Sequence, residues 1–113
     1  MVDEVKKIEF KSPWTMIQFE DVDMWINLVK NALKPSDPLF KKDIYVSGRH
    51  EYNKLLLVDN DTDDNYAIVS VGFNQNSQKY ICSTVELISS TKELANKLQH
   101  DYEVELKQLL NDD

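Results

Sequence analysis

Apolar and polar positions alternate with two different periods along this chain, and the change of period divides it into elements. From about Asp21 to Lys34, Val22, Trp25, Ile26, Val29 and Ala32/Leu33 recur at i, i+3, i+4 and i+7, which predicts a helix with one apolar face. Glu20 and Asp21 stand at its start and Lys30 and Lys34 near its end, as the helix dipole favours. Pro35 and Pro38 stop it. The period then shortens. Asp43-Ile44-Tyr45-Val46-Ser47, Lys54 to Asp59, Tyr66 to Phe73 and Tyr80 to Leu87 are short runs of β-branched, aromatic and aliphatic residues, and they predict strands. Asn60-Asp61-Thr62-Asp63-Asp64-Asn65 is a polar turn, so the runs around it predict a hairpin. Leu55-Leu56-Leu57-Val58 and Ala67-Ile68-Val69 are continuous rather than alternating, which suits a sheet covered on both faces.

At the C-terminal end, Ser90-Thr91-Lys92-Glu93 has the capping-box spacing. The serine oxygen accepts from the amide of Glu93, and Glu93 reaches back to the amide of Ser90. Leu94, Leu98, Tyr102, Leu106 and Leu109 follow at helical spacing and predict a helix from about Thr91 to Leu110. The first twenty residues are less regular. Ile8-Glu9-Phe10 has the composition of a short strand, and Ser12-Pro13 marks a turn or a helix start before Trp14. Helix, consecutive strands with short connections, then helix is the pattern of an α+β fold: an antiparallel sheet of three to four strands packed with an N-terminal and a C-terminal helix. A chain of 113 residues fits one domain, residues 1–113, with no internal repeat.

Charge narrows the function classes. The chain carries 20 acidic and 13 basic residues, net −7, and Arg49 is its only arginine. Nucleic-acid binders need basic stripes to meet the phosphate backbone, so no nucleic-acid partner is expected. A net negative field instead favours encounter with a basic protein, although acidity also serves solubility alone. No apolar run approaches the roughly 20 residues of a membrane span, so no membrane partner is expected. The charged start Met1-Val2-Asp3-Glu4-Val5-Lys6-Lys7 is unlike a secretory leader, and Cys82 is the only cysteine, so a reducing, cytoplasmic setting is expected.

Candidate chemistry is sparse. Asp59, Asp61 and Asp63 alternate like the front half of a calcium loop, but that template needs glycine at its sixth position and glutamate at its twelfth. Asp64 and Ser70 occupy those places, so no metal site is expected. The loop carboxylates either form a solvated hairpin tip or an acidic knob for a basic partner. Arg49-His50-Glu51 sets a histidine beside a carboxylate, yet neighbours on a strand point to opposite faces. Arg49 can instead hold a carboxylate of its own fold in a bidentate pair. His100 is remote in sequence, and nothing around Cys82 supplies a base. With Gly48 and Gly72 the only glycines, there is no phosphate loop. No catalytic residue, metal or cofactor is therefore expected. Trp25 belongs to the apolar helix face, while Trp14 suits either the core or an exposed binding hot spot.

Pro38-Leu39-Phe40, Gly48-Arg49, Leu55-Leu56-Leu57-Val58 and Tyr66-Ala67-Ile68-Val69 together resemble a pattern in small bacterial proteins of uncharacterised function. In those, a Pro-Leu-aromatic start is followed by Gly-Arg, an apolar strand and a Tyr-Ala-Val-Val-type strand. The resemblance covers roughly residues 38 to 87. Thr84-Val85-Glu86-Leu87 is similar to a threonine-containing segment near their end, whereas Ser70-Val71-Gly72-Phe73 replaces their His-Leu-Thr-Trp-like ending. It implies a fold rather than a role. Small immunity proteins are similar in size and charge only. The leading expectation is a non-catalytic, cytoplasmic binding protein, an immunity-type inhibitor of a basic toxin or nuclease, with Asp59, Asp61, Asp63, Asp64, Arg49 and Trp14 as partner-binding candidates. The alternatives are a small-ligand or enzymatic domain with a site near Arg49 and His50, drawing on Tyr45 and Tyr66, and a homo-oligomeric structural protein with an exposed apolar face on the C-terminal helix.

Overall fold

The structure, a computed structural model, describes residues 10–110. The expected strand over Ile8-Glu9-Phe10 lies, apart from Phe10, outside the described residues. The fold is α+β, and its antiparallel sheet has five strands rather than three or four. They are β1 (Trp14–Met16), β2 (Ile44–His50), β3 (Leu55–Asn60), β4 (Asn65–Asn74) and β5 (Lys79–Ile88), in that spatial order. Between β1 and β2 run a 3-10 turn (Phe19–Asp21) and helix α1 (Val22–Ala32); helix α2 (Thr91–Leu110) follows β5. The unexpected strand is β1. Its three residues are too few to show a period, and pairing of Trp14, Thr15 and Met16 with His50, Arg49 and Gly48 is what makes them a strand.

The continuous apolar runs are explained by two cores, one on each side of the sheet. Leu56 and Val58 of β3, with Ala67 and Val69 of β4, face α1 and pack with Val22, Val29 and Val46. Leu57 and Ile68, the alternate residues, face α2 and pack with Trp14, Ile88, Leu94 and Leu98. A strand buried on both sides has no place for a polar alternation. All the predicted apolar-face residues of α1 join the first core.

Helix α1 ends before its prolines. Leu33 is extended, although its amide still donates to the Val29 carbonyl, and it forms an isolated bridge to Cys82 at the outer edge of β5. Asp37 completes this cover. Its carboxylate accepts from the Thr84 amide (2.8 Å), the Thr84 hydroxyl (2.7 Å) and the Leu39 amide (2.9 Å). β5 is an edge strand, so its outward amides have no further strand to pair with, and Val85, the next residue, is a bulge in the register with β4.

Three hairpin turns share one device. A side chain at the end of the leading strand accepts from the amides two and three residues on. Asn60 Oδ1 takes those of Thr62 and Asp63, Asn74 Oδ1 those of Asn76 and Ser77, and His50 Nδ1 those of Tyr52 and Asn53. A second bulge, at Ser47, shifts β2 against β3. Gly48 follows it and lies under the Phe10 ring: a Cβ there would sit 2.6 Å from Phe10 Cε1 and 3.1 Å from the Thr15 carbonyl oxygen, which only glycine avoids.

The C-terminal helix has its predicted limits, with one change in its cap. The Glu93 amide donates to Ser90 Oγ at 3.1 Å, but the Glu93 carboxylate reaches the amide and hydroxyl of Ser89, not the amide of Ser90. Its apolar stripe is buried only at Leu94 and Leu98; Leu106 and Leu109 are exposed.

Candidate functional site

The acidic segment splits according to its neighbours. Asp59 belongs to β3, not to the tip, and accepts from the Ser47 hydroxyl at 3.1 Å. Burial pushes its carboxyl above the ordinary range, the Ser47 hydrogen bond opposes that, and the charge of Asp61 adds to it. Asp63 pairs with Lys42 at 3.0 Å and accepts from Asn60 Nδ2 at 3.0 Å. These two contacts hold its carboxyl below the ordinary range. Asp61 and Asp64 are exposed, and no cation of the described residues lies in ion-pair range of either. The turn is therefore built from the buried Asn60 outward, and its carboxylates serve different partners instead of converging. Among the described residues, no group of three or more histidine, cysteine or acidic side chains could hold a metal ion.

Trp14 is 1% exposed, so core packing is the reading the structure shows, and it is closed to a partner. Its indole N–H donates to Asp101 on α2. The His50 ring stands edge-on to it, with centroids 5.1 Å apart. Burial pushes His50 below its ordinary 6.5, against the raising pull of Asp101, Glu105 and Glu51 and with the lowering push of Lys97. A neutral imidazole whose Nδ1 already receives two amide protons is a turn-forming acceptor rather than a free base. His100 is exposed on α2. Cys82 is buried, and burial, with the nearby Asp37 charge, pushes its thiol up to about 11, which suits a small core residue and not a nucleophile.

Arg49 departs from expectation. It is exposed on the α1 side of β2, and no carboxylate of the described residues lies within ion-pair distance. It lines an open groove of about 470 Å³. Arg49 and its cross-strand partner Leu56 form part of the floor, with Val71 beyond. Trp25 and Leu28 of α1 form one wall, and the His50–Lys54 connection forms the rim. The far end is the exposed pair Phe73 and Tyr80, edge to face at 5.0 Å. Of the four residues expected to share a site, Arg49 and His50 line this groove. Tyr45 and Tyr66 do not: they flank Asp59 at the other end of the sheet, and Tyr66 shares a hydrogen bond with the Thr91 hydroxyl.

A further groove, of about 540 Å³, lies on the α2 side of the same rim, between Tyr52 and the helix residues Asp101, Val104 and Glu105. The Glu105 carboxylate beside it raises the Tyr52 phenol above its ordinary value. The sequence signal missed at the Arg49 groove was Phe73 and Tyr80. They read as ordinary strand residues, and only their position at the free end of the β4–β5 hairpin leaves them exposed.

No helix of the described residues is long and apolar enough to cross a membrane. No protein-family model, curated protein or solved structure matches the chain.

Proposed function

We propose that the chain is a non-catalytic binding protein of the immunity type, an inhibitor that covers a basic cleft of a toxin or nuclease. The observation that supports this best is the pair of exposed carboxylates, Asp61 and Asp64, which have no ion-pair partner among the described residues, on a turn held by Asn60. In a chain of net charge −7 they would steer a basic partner, while the exposed Tyr45, paired with Asp59 at the same end of the sheet, would supply contact area. A cytoplasmic location is part of this reading, and a single thiol is compatible with it. The test is co-purification with the product of the neighbouring gene, followed by association kinetics across a salt series. The D61N/D64N double variant should associate more slowly and dissociate at an unchanged rate. A partner whose association ignores both salt and these substitutions would sink the electrostatic reading.

A second reading has an observation of its own: the groove at Arg49 and His50 suits a small-ligand domain in size and lining. Light scattering in the same experiments tests the homo-oligomer. Exposed Leu106, Leu109 and Leu110 on α2 favour one, and a pure monomer would remove it.

A further inference from the structure

The groove beneath α1 differs from the rest of the molecule in charge. The chain as a whole is strongly acidic, yet the charged side chains lining this groove are Arg49, Lys54 and Glu51, two cations to one anion apart from the neutral His50. Arg49 is the only guanidinium in the chain, and it stands here without a carboxylate partner among the described residues. Asn53 adds a neutral polar group at the rim, and the rest of the lining is mainly apolar and aromatic, with Trp25, Leu28, Leu56, Val71, Phe73 and Tyr80. Its volume of about 470 Å³ lies within the range of small-molecule sites, which combine an apolar lining with a few placed polar groups.

We propose that this groove binds a small amphipathic carboxylate, with its apolar group against Trp25, Val71 and the Phe73–Tyr80 pair and its carboxylate on Arg49. The proposal rests on the small-ligand reading and adds the ligand class. A guanidinium presents a planar fork that matches a carboxylate in two parallel hydrogen bonds. Lys54 adds a second positive charge at the same rim. A cationic ligand would meet these two charges, and a neutral one would leave the Arg49 fork to water. A nucleotide is disfavoured by the same lining, which offers no glycine-rich loop and no helix N-terminus for a phosphate.

The experiment titrates the whole chain with phenylbutyrate, with its neutral isostere phenylbutyramide and with the cation phenylbutylamine, to about 10 mM, a range that captures millimolar affinity. Heteronuclear NMR reads the response. The chain has two tryptophans, one on each side of the sheet, so the Trp25 indole reports the groove and the Trp14 indole is an internal control. Phenylbutyrate should shift the Trp25 indole and the amides of Val71, Phe73 and Tyr80, and leave Trp14 in place. Phenylbutyramide should bind roughly tenfold more weakly, the difference expected of one charge-assisted contact. R49M, which keeps an apolar stem and leaves Lys54 in place, should lose most of the preference for acid over amide, and R49K should restore part of it. Equal binding of acid and amide to the unaltered chain, or tighter binding of the amine, would overturn the ligand class and leave the small-ligand reading standing. No shift with any of the three would remove both.

Discussion

The indole N–H of Trp14 donates to Asp101 Oδ2 over 2.9 Å, joining the first strand to the last helix across 87 positions of sequence. Lys97, one turn earlier on α2, lies 3.4 Å from the same oxygen and 3.4 Å from Glu86 of β5. Because Trp14 is buried, removing the acceptor strands its N–H. Asp101→Ala should cost about 1–3 kcal/mol, the range for a buried donor left unsatisfied. Asp101→Asn keeps an acceptor oxygen and should cost less. In a double-mutant cycle with Trp14→Phe in urea, the Asp101→Ala cost should shrink markedly; equal costs in both backgrounds would mean the bond carries no coupling.

Asp37 should matter more than any carboxylate of the acidic turn. It takes three hydrogen bonds, two of them from Thr84, and so fastens the loop after α1 to the bulged edge of β5. Asp37→Ala should destabilise by about 2–4 kcal/mol, because the Thr84 amide is left without its partner. Thr84→Val removes only the hydroxyl contact and should cost about 1 kcal/mol. Asp61→Ala, at an exposed position, should stay within about 0.5 kcal/mol. Urea melts of the three variants give this order or refute it.

The His50 turn should loosen in mild acid. The folded imidazole has its pKa below the ordinary 6.5, so its contribution to stability is complete above that value and is lost as pH falls through the folded pKa. Protonation of Nδ1 also removes the acceptor for the Tyr52 and Asn53 amides. Hydrogen exchange at these two amides, corrected for its intrinsic pH dependence, should lose protection as pH falls below 6.5. Asparagine performs this task in the other two turns, so His50→Asn should keep the protection and abolish its pH dependence. It should cost about 0.5–1.5 kcal/mol through the lost edge contact with Trp14. A pH dependence that survives in the variant would mean that His50 is not the group responsible.

Asp59 should have the opposite pH behaviour. Its carboxyl is held above the ordinary 3.8, chiefly by burial, so the folded state loses stability as pH rises from 3.8 through the folded pKa. Asp59→Asn keeps an oxygen for the Ser47 hydroxyl and removes the buried charge. The variant should melt at a higher temperature than the parent at neutral pH and at the same temperature below pH 3.8. A gain that persists at low pH would point to packing instead.

What the sequence determined by itself is local. The apolar spacing of Val22, Trp25, Ile26 and Val29, the Ser90–Glu93 cap and the polar clusters after Asn60 and Asn74 are short-range signals, and the two helices and four of the strands follow from them. The unbroken runs at Leu55–Val58 and Ala67–Val69 also announced a sheet covered on both sides. The rest depended on partners distant in sequence. Three residues became β1 only through β2, and Trp14 became core only when α2 crossed over it. Asp37 had no visible role until the fold brought Thr84 to it. The functional reading divides in the same way. Net charge was legible in composition, but which carboxylates stay unpaired, and that the single arginine lies in an aromatic-lined groove, were decided by strand register and by where α1 stops covering the sheet. Propensity and capping act within a turn or two of chain, whereas burial and charge pairing act through space, so only the tertiary structure could select among the latter.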